Sequence, residues 1–247
     1  MTSLFSPLTF KRGPAMKNRF MLAPLTNQQS HEDGVCSEDE FIWLTKRAEG
    51  GFGLTMTCAA HVQAEGKGFP GQMGIFSDDH LPGLTRLAKT IKANNSIAVV
   101  QLYHGGMRSP KDVIGMQPLS ASDNAKWGAR AMTTAEVEAM IEAFIRAAQR
   151  AEQAGFDGVE LHGAHGYILA QFLSPEINQR TDRFGGSLDN RSSLIFEIID
   201  GIRQRCGKDF AIGVRLSPER FGMKLDEVVQ VAARLMREDL IEYLDMS

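Results

Sequence analysis

The sequence predicts an α/β fold built on a parallel sheet, either doubly wound or closed as a (β/α) barrel. Short apolar runs typical of strands alternate with longer helical patterns along the chain. The runs are apolar at successive positions, so both faces of the sheet are expected to be covered. With 43% hydrophobic and 23% charged residues, the 247-residue chain is ordinary for one domain spanning residues 1–247.

The first strand and helix are bounded by local signals. The apolar run at residues 20–23 ends at Pro24. Ser37 and Glu40 form an S-x-x-E pattern, which predicts a helix with a reciprocal capping box that ends at Gly50.

The rest of the chain continues the alternation of strands and helices. The other predicted strands are residues 52–57, 96–100, 157–161, 210–214 and 241–246, and three of the helices are residues 81–93, 190–205 and 225–236. The longest helix begins at a capping box of Thr133 and Glu136, has apolar residues at i, i+3 and i+4 spacing, and should end at Gly155. Six strands are two fewer than a closed (β/α) barrel needs.

The composition indicates which partners to expect. The formal net charge of −3, with no run of more than two Lys or Arg residues, gives no electrostatic reason to bind nucleic acid or an anionic membrane. No run approaches the roughly 18 apolar residues of a membrane span, and Lys11 and Arg12 interrupt the N-terminus where a signal peptide is apolar. Three widely spaced cysteines without a C-x-x-C pair fit a reducing compartment. We expect a cytoplasmic protein that binds small molecules.

Small or polar residues follow five successive predicted strands. They are Thr26, Ala59, Gln101, the pair His162 and His165, and Arg215. In parallel α/β folds the carboxyl ends of the strands meet at one rim, and ligands bind there. The sequence therefore predicts a ligand site at this rim, while periodicity alone leaves open whether the sheet is open or closed.

The stretch after the fourth strand is dense in reactive side chains. It places His162, His165 and Tyr167 within six residues of a chain that has only six His and three Tyr. An H-x-x-H pair can bind a metal, but no third ligand stands at a matching spacing, so no metal is expected.

Several longer motifs surround these residues. They are K-N-R-F-M-L-A-P-L-T, G-I-F-S-D-D-H-L-P-G, Q-L-Y-H-G-G, E-L-H-G-A-H-G-Y-I-L-A-Q-F-L-S-P and N-x-R-T-D-R-F-G-G-S-L-D-N-R. Together they resemble the Old Yellow Enzyme family of FMN-dependent NAD(P)H oxidoreductases, or ene-reductases. The resemblance implies a TIM (β/α)8-barrel domain that binds FMN at the rim, truncated here after the sixth strand, with units seven and eight missing.

The resemblance also implies roles for the rim residues. Ala23, Pro24 and Thr26 would lie along the flavin edge, and Ala59 would allow close backbone approach. Gln101 would hydrogen-bond the pyrimidine edge, and Arg215 would stabilise negative charge near N1 and O2, with His162 beside the flavin as well.

The same resemblance assigns His162 and His165 to the carbonyl oxygen of an α,β-unsaturated substrate and Tyr167 to proton donation. Hydride addition at the β carbon puts negative charge on that oxygen and requires a proton at the α carbon. Each N–H donor stabilises such a charge by roughly 3 kcal/mol, and a tyrosine with a pKa of about 10 keeps its proton at neutral pH. The implied reaction is hydride transfer from NADH or NADPH through FMN to an enone or related electrophilic alkene.

Two other functions stay open at this point. One is a flavin-independent barrel lyase or isomerase that uses His162, His165 and Tyr167 as acid–base groups. The other is a non-catalytic fragment that self-associates through open strand edges. A homo-oligomer is possible for the reductase as well. The family's Gly-rich and G-R segments for the phosphate have no counterpart in this sequence, so a lowered FMN affinity is expected.

Overall fold

A curved sheet of six parallel strands is the centre of the structure, a computed structural model that describes residues 3–247. The strands in chain order are β1 (Met21–Leu22), β2 (Leu54–His61), β3 (Ile97–Tyr103), β4 (Leu119–Ser120), β5 (Arg130–Ala131), β6 (Gly158–Gly163), β7 (Ala211–Leu216) and β8 (Tyr243–Met246). The helices are α1 (Glu38–Glu49), α2 (Leu81–Ala93), α3 (Lys111–Ile114), α4 (Thr134–Gln153), α5 (Ile168–Leu173), α6 (Leu188–Arg205) and α7 (Leu225–Arg237). Strands β4 and β5 form a separate pair within the loop after β3.

The order of the strands decides between the two predicted architectures. The main sheet runs β1-β2-β3-β6-β7-β8, so each of its strands lies beside the next one in the chain. A doubly wound sheet reverses its order at a switch point, whereas a (β/α) barrel does not. The barrel type, with six strands, is confirmed.

The two faces of the sheet pack differently. Helices cover the outer face, where Leu102, Leu161 and Val214 join the large apolar core. The lower end of the inner face is filled by a small apolar cluster, consisting of Met16, Leu54, Met56, Ile97 and Val99. An antiparallel bridge between Leu8 and Met16 brings the N-terminal segment against this cluster, a contact that the sequence did not predict. The lower end is thus apolar, and the carboxyl ends of the strands are left for polar groups.

The strands reach further than predicted at their carboxyl ends. The ladder of β2, β3, β6 and β7 continues through Ala59, Gln101, His162 and Arg215, which were expected in the loops after the strands. The predicted ends were wrong because they were placed where polar residues begin. Backbone pairing does not depend on side-chain polarity, so these four side chains stand on the strands themselves.

Of the two predicted capping boxes, one is complete in the structure and the other is only half formed. The box of Thr133 and Glu136 at the start of α4 is confirmed, and Gly155 after its end has a left-handed φ of 90°. At α1, Ser37 accepts a hydrogen bond from the backbone of Glu40 as expected, but the reciprocal half of the box is wrong.

The Glu40 side chain turns inward instead of capping its own helix. It is fully buried and accepts hydrogen bonds from Asn27 Nδ2 at 3.1 Å and Cys58 Sγ at 2.8 Å, and also from the Ser30 hydroxyl. Three partners from β2 and the loop after β1 outcompete one backbone N–H, which the local pattern does not reveal.

Helix α6 starts earlier than the predicted residue 190, because Ser187 is its N-cap. Buried Arg191 in its first turn pairs with Glu227 on α7 at 2.8 Å and also donates to the Leu173 carbonyl. This arginine therefore pins the long loop before α6 to the neighbouring helices. Within residues 3–247, no helix has the length and apolar character that crossing a membrane requires.

Candidate active site

The inner face of the sheet carries two rows of side chains above the apolar cluster. The lower row is Ala59, Gln101, Glu160, Gly213 and Tyr243, and the upper row includes His61, Tyr103, His162, Arg215 and Asp245. Side chains alternate across a strand with a period of two, so both rows point to the same face. The strand register therefore brings together four predicted site residues, which are Ala59, Gln101, His162 and Arg215.

Gln101 and Glu160 form a buried pair in the lower row. Gln101 Nε2 donates to Glu160 Oε1 at 2.8 Å, and the two residues are 1% and 0% exposed. The bond to the carboxyl group fixes the orientation of the amide, and Gln101 Oε1 accepts no hydrogen bond from the described residues, so it is left as a free acceptor. Burial, together with the nearby charge of Asp245, raises the pKa of Glu160 to about 8.

Gly213 makes room for the last member of the lower row. A Cβ at Gly213 would lie 2.2 Å from the Tyr243 ring, so the ring occupies the space of the missing side chain. The buried Tyr243 hydroxyl and Glu160 Oε2 have no partner of good hydrogen-bond geometry among residues 3–247, although they face each other closely enough for Tyr243 to lower the pKa of Glu160. The row thus keeps unused hydrogen-bonding capacity in a buried position.

Arg215 supplies a fixed positive charge in the upper row. Its Nε lies 3.1 Å from Asp245 Oδ2, and its Nη2 donates to Ser247 Oγ at 2.9 Å. Burial raises the pKa of Asp245, and the guanidinium opposes this shift. Since Arg215 is the register partner of His162, the cation stands directly beside that histidine.

His162 is a neutral hydrogen-bond donor. Burial lowers the pKa of His162 well below its ordinary value, and the charges of His165 and Arg215 lower it further. The backbone N–H of Ala164 donates to Nδ1 at 3.4 Å, so Nδ1 is the acceptor and Nε2 carries the proton. The proton on Nε2 makes His162 a hydrogen-bond donor. Its lowered pKa means that the ring stays neutral at neutral pH.

The loop after β6 holds His165 and Tyr167 beside His162. His165 is left-handed, with φ of 58°, and its backbone N–H donates to Ser217 Oγ at 3.0 Å. Its Nε2 lies 2.9 Å from Ser247 Oγ, so this nitrogen has a partner within the chain. The Tyr167 ring packs edge-on against His162 at 4.9 Å and Tyr103 at 4.5 Å. The three predicted catalytic side chains therefore form one cluster.

The residues predicted from the first strand lie at the edge of the sheet. Ala23 is half-buried, Pro24 is buried and Thr26 is exposed, just after the carboxyl end of β1. Strand β1 pairs with β2 over two residues, which puts this segment next to the end of β2. The Thr26 hydroxyl is thus accessible at the same rim.

Three residues near the site were not predicted, namely Glu160, Tyr103 and Arg108. Glu160 had a sequence signal, because a carboxylate in the middle of a buried apolar strand is unusual. Tyr103 stands two residues after Gln101 on the same strand face, and burial with the neighbouring Tyr167 raises the pKa of its hydroxyl well above its ordinary value. Arg108 is identified only by its tertiary contacts.

The free groups of the site match the needs of a flavin ring. The pyrimidine edge of FMN offers an N–H and two carbonyl oxygens, and it gains negative charge on reduction. Gln101 Oε1 is a free acceptor, Arg215 is a fixed cation, and His162 Nε2 is a free donor. The residues present therefore fit this cofactor. Across residues 3–247, no cluster of three His, Cys, Asp or Glu side chains is placed to hold a metal ion.

Comparisons with known proteins point to one family. Residues 3–247 match the model of the NADH:flavin oxidoreductase / NADH oxidase family. A probable NADH-dependent flavin oxidoreductase, YqiG, of Bacillus subtilis (strain 168) is 42% identical over 255 residues, covering 99% of this chain and 68% of the relative. NADH:acrylate oxidoreductase of Vibrio harveyi is 37% identical, and the chain spans 97% of its own length but only 25% of that relative. An Old Yellow Enzyme homologue from Zymomonas mobilis superposes with a TM-score of 0.89 at 32% identity, covering 99% of this chain and 73% of that one.

Proposed function

The chain belongs to the NADH:flavin oxidoreductase / NADH oxidase family, and we propose that it is an ene-reductase. In this function FMN, when bound at the rim, would supply hydride transfer between NADH or NADPH and the activated C=C bond of an α,β-unsaturated carbonyl compound. The observation that carries the proposal is the inner face shared by Gln101, His162 and Arg215, with the Tyr167 ring packed against His162.

The residues that would hold the flavin ring are those with unused hydrogen-bonding capacity. Gln101 would accept from the ring N–H through Oε1, which accepts no hydrogen bond from the described residues, and its bond to Glu160 fixes the orientation of the amide. Arg215 would stabilise charge on the reduced ring. Ala59 supports close approach because its side chain is small, and Ala23, Pro24 and Thr26 would line the ring from the end of β1.

His162 would bind the carbonyl oxygen of the substrate. Its lowered pKa keeps the imidazole neutral, and the Nε2–H of a neutral imidazole is a very weak acid, so it stabilises negative charge on the oxygen by a hydrogen bond and not by transferring its proton. His165 would be the second donor, and its Nε2 would exchange Ser247 for the substrate. The burial of His162 strengthens its bond, because a hydrogen bond to a developing charge is stronger away from water.

Tyr167 would donate the proton to the α carbon. Its ring lies within 4.9 Å of the His162 ring, on the same loop that orients the carbonyl. Because His162 holds its proton, the two tasks of charge stabilisation and proton delivery fall on different side chains. A phenol is protonated at neutral pH and can supply a strongly basic carbon.

Steady-state turnover of 2-cyclohexenone with NADH or NADPH tests this proposal in FMN-supplemented protein. We expect kcat of Tyr167→Phe to fall by roughly 10²–10⁴-fold, because the variant lacks the general acid. Reduction of the flavin by nicotinamide should be unaffected, which makes it the internal control. Equal turnover in the wild type and in Tyr167→Phe would contradict the role of Tyr167, and no turnover in the wild type would contradict the function.

A further inference from the structure

Arg108 is a half-buried cation at the site with no carboxylate to neutralise it. It follows β3 at the end of a short turn, and it takes part in none of the ion pairs among residues 3–247. Four other buried or half-buried arginines each have a carboxylate oxygen within 3.1 Å, and they are Arg180, Arg191, Arg203 and Arg215. Arg47 on α1 is also half-buried and takes part in no ion pair among residues 3–247, but its guanidinium lies over the Trp43 ring at 3.9 Å. A partly desolvated guanidinium without a counter-ion is costly, so an anionic ligand is a reasonable partner.

The contacts of Arg108 leave one edge of the guanidinium free. Its Nη1 donates to the His165 carbonyl at 2.7 Å. Its Nε and Nη2 make no hydrogen bond, and neither is among the buried unpartnered atoms, so they reach accessible space. The Nε–Nη2 edge of a guanidinium is the geometry that binds a carboxylate through two parallel hydrogen bonds.

Aromatic rings surround the guanidinium on the side of the catalytic loop. Its central carbon lies 5.2 Å from the Tyr167 ring, 5.6 Å from the Trp127 ring and 5.8 Å from the Phe221 ring. The rings hold the cation in place and limit its access to water. Arg108 and Arg215 both lower the pKa of His165, after the larger effect of burial, which shows that the field at the loop is positive.

We propose that Arg108 anchors a carboxylate of the substrate. The inference rests on the proposed function and narrows its substrate class to α,β-unsaturated carbonyl compounds that carry a second, anionic group. The carbonyl would be bound by His162, and the carboxylate by the free edge of Arg108. Because Arg108 borders Tyr167, the anion would hold the alkene next to the proton donor.

Arg108 could equally bind a phosphate group of NADH or NADPH. Kinetics distinguish this anion from the carboxylate of the alkene substrate. An anchor for the substrate affects the apparent affinity for the acid, whereas an anchor for the nicotinamide affects the KM for NADH or NADPH with every acceptor. The assay therefore varies each substrate separately.

A matched pair of acceptors tests the proposal. They are (E)-4-oxopent-2-enoate and its methyl ester, which share the enone and differ in charge. Arg108→Gln keeps an N–H donor for the His165 carbonyl but removes the charge, and Arg237→Gln, on an exposed part of α7, removes the same charge elsewhere. We expect the wild type to prefer the acid, and we expect the acid-to-ester ratio of kcat/KM to fall about 30- to 100-fold in Arg108→Gln only.

Three outcomes would overturn the proposal. The ratio is unchanged in Arg108→Gln, the ratio falls equally in Arg237→Gln, or only the KM for the nicotinamide rises. If the wild type reduces neither acceptor, the proposed function fails. The role of Arg108 as an anchor is then tested separately by a binding measurement. Calorimetric titration with 4-oxopentanoate and its methyl ester, which have no C=C bond, should then show tighter binding of the acid that Arg108→Gln abolishes. Equal affinity for both would overturn the anchor.

Discussion

Replacing Glu160 by glutamine should change how the stability of the protein depends on pH. Glu160 is fully buried, and its pKa is raised from the ordinary 4.5 to about 8, mainly by burial. Glutamine keeps an oxygen acceptor for Gln101 Nε2, and its own amide can donate to the neighbouring Tyr243 hydroxyl. The variant therefore removes the titration while keeping the shape and the hydrogen bond.

The direction of the pKa shift of Glu160 determines whether stability rises or falls with pH. Between pH 4.5 and 8 the unfolded chain has lost the Glu160 proton while the folded chain keeps it, so stability falls as pH rises. A raised pKa of this size, at 1.36 kcal/mol per unit, corresponds to about 5 kcal/mol over the whole window and about 3 kcal/mol by pH 7. Below pH 4.5 the contribution of Glu160 to stability is fully present, and above pH 8 it is lost.

Urea unfolding of the wild type and Glu160→Gln at half-unit steps from pH 4.5 to 8.5 measures this difference. All other titrating groups are common to both proteins, so the difference in unfolding free energy reports Glu160 together with its coupling to Asp245 and Tyr243. We expect the unfolding free energy of Glu160→Gln, relative to that of the wild type, to increase steadily as pH rises. Parallel curves would refute the reasoning, because they would mean that Glu160 ionises in the folded protein as it does in the unfolded chain.

Three further predictions concern the site and its supports. With Nε2 as the donor of His162, His162→Gln should keep more enone-reductase kcat than His162→Asn, since the glutamine amide nitrogen reaches the position of Nε2; the reverse order would contradict the assigned tautomer. Arg191→Met should lower the unfolding free energy in urea by about 3 kcal/mol at pH 7, because it leaves the Glu227 carboxylate without its partner, and a loss below ~1 kcal/mol would contradict this pinning role. Gly213→Ala should lower the thermal midpoint, at a cost of about 1–3 kcal/mol, because its Cβ overlaps the Tyr243 ring, and an unchanged midpoint would show that the ring has room to move.

The sequence predicted the chemistry of the rim better than its geometry. Motifs around His162 indicated the family, and the match of residues 3–247 confirms it. The polar ends of successive strands indicated which residues meet, because in a parallel sheet all strands present the same end to one side. The register that puts Gln101 beside Glu160, and His162 beside Arg215, depends on pairing between distant segments.

Three failures of the sequence-based predictions have a physical cause. The capping box at Glu40 was wrong because its partners, among them Cys58, come from other parts of the chain. Arg108 gave no signal, because the lack of a counter-ion is a property of tertiary packing and not of local pattern. The left-handed turn at His165 was also missed, since the loop around it over-determines a conformation that histidine rarely adopts.

The most direct test of the central claim is the visible absorbance spectrum of the purified chain, recorded without oxygen. Our account predicts a yellow flavin band after addition of FMN, loss of that band with NADH or NADPH, and its return when an enone is added. A chain that binds no FMN even at high concentration, or a bound flavin that nicotinamide does not bleach, would contradict the proposal that this site is a flavin-dependent reductase.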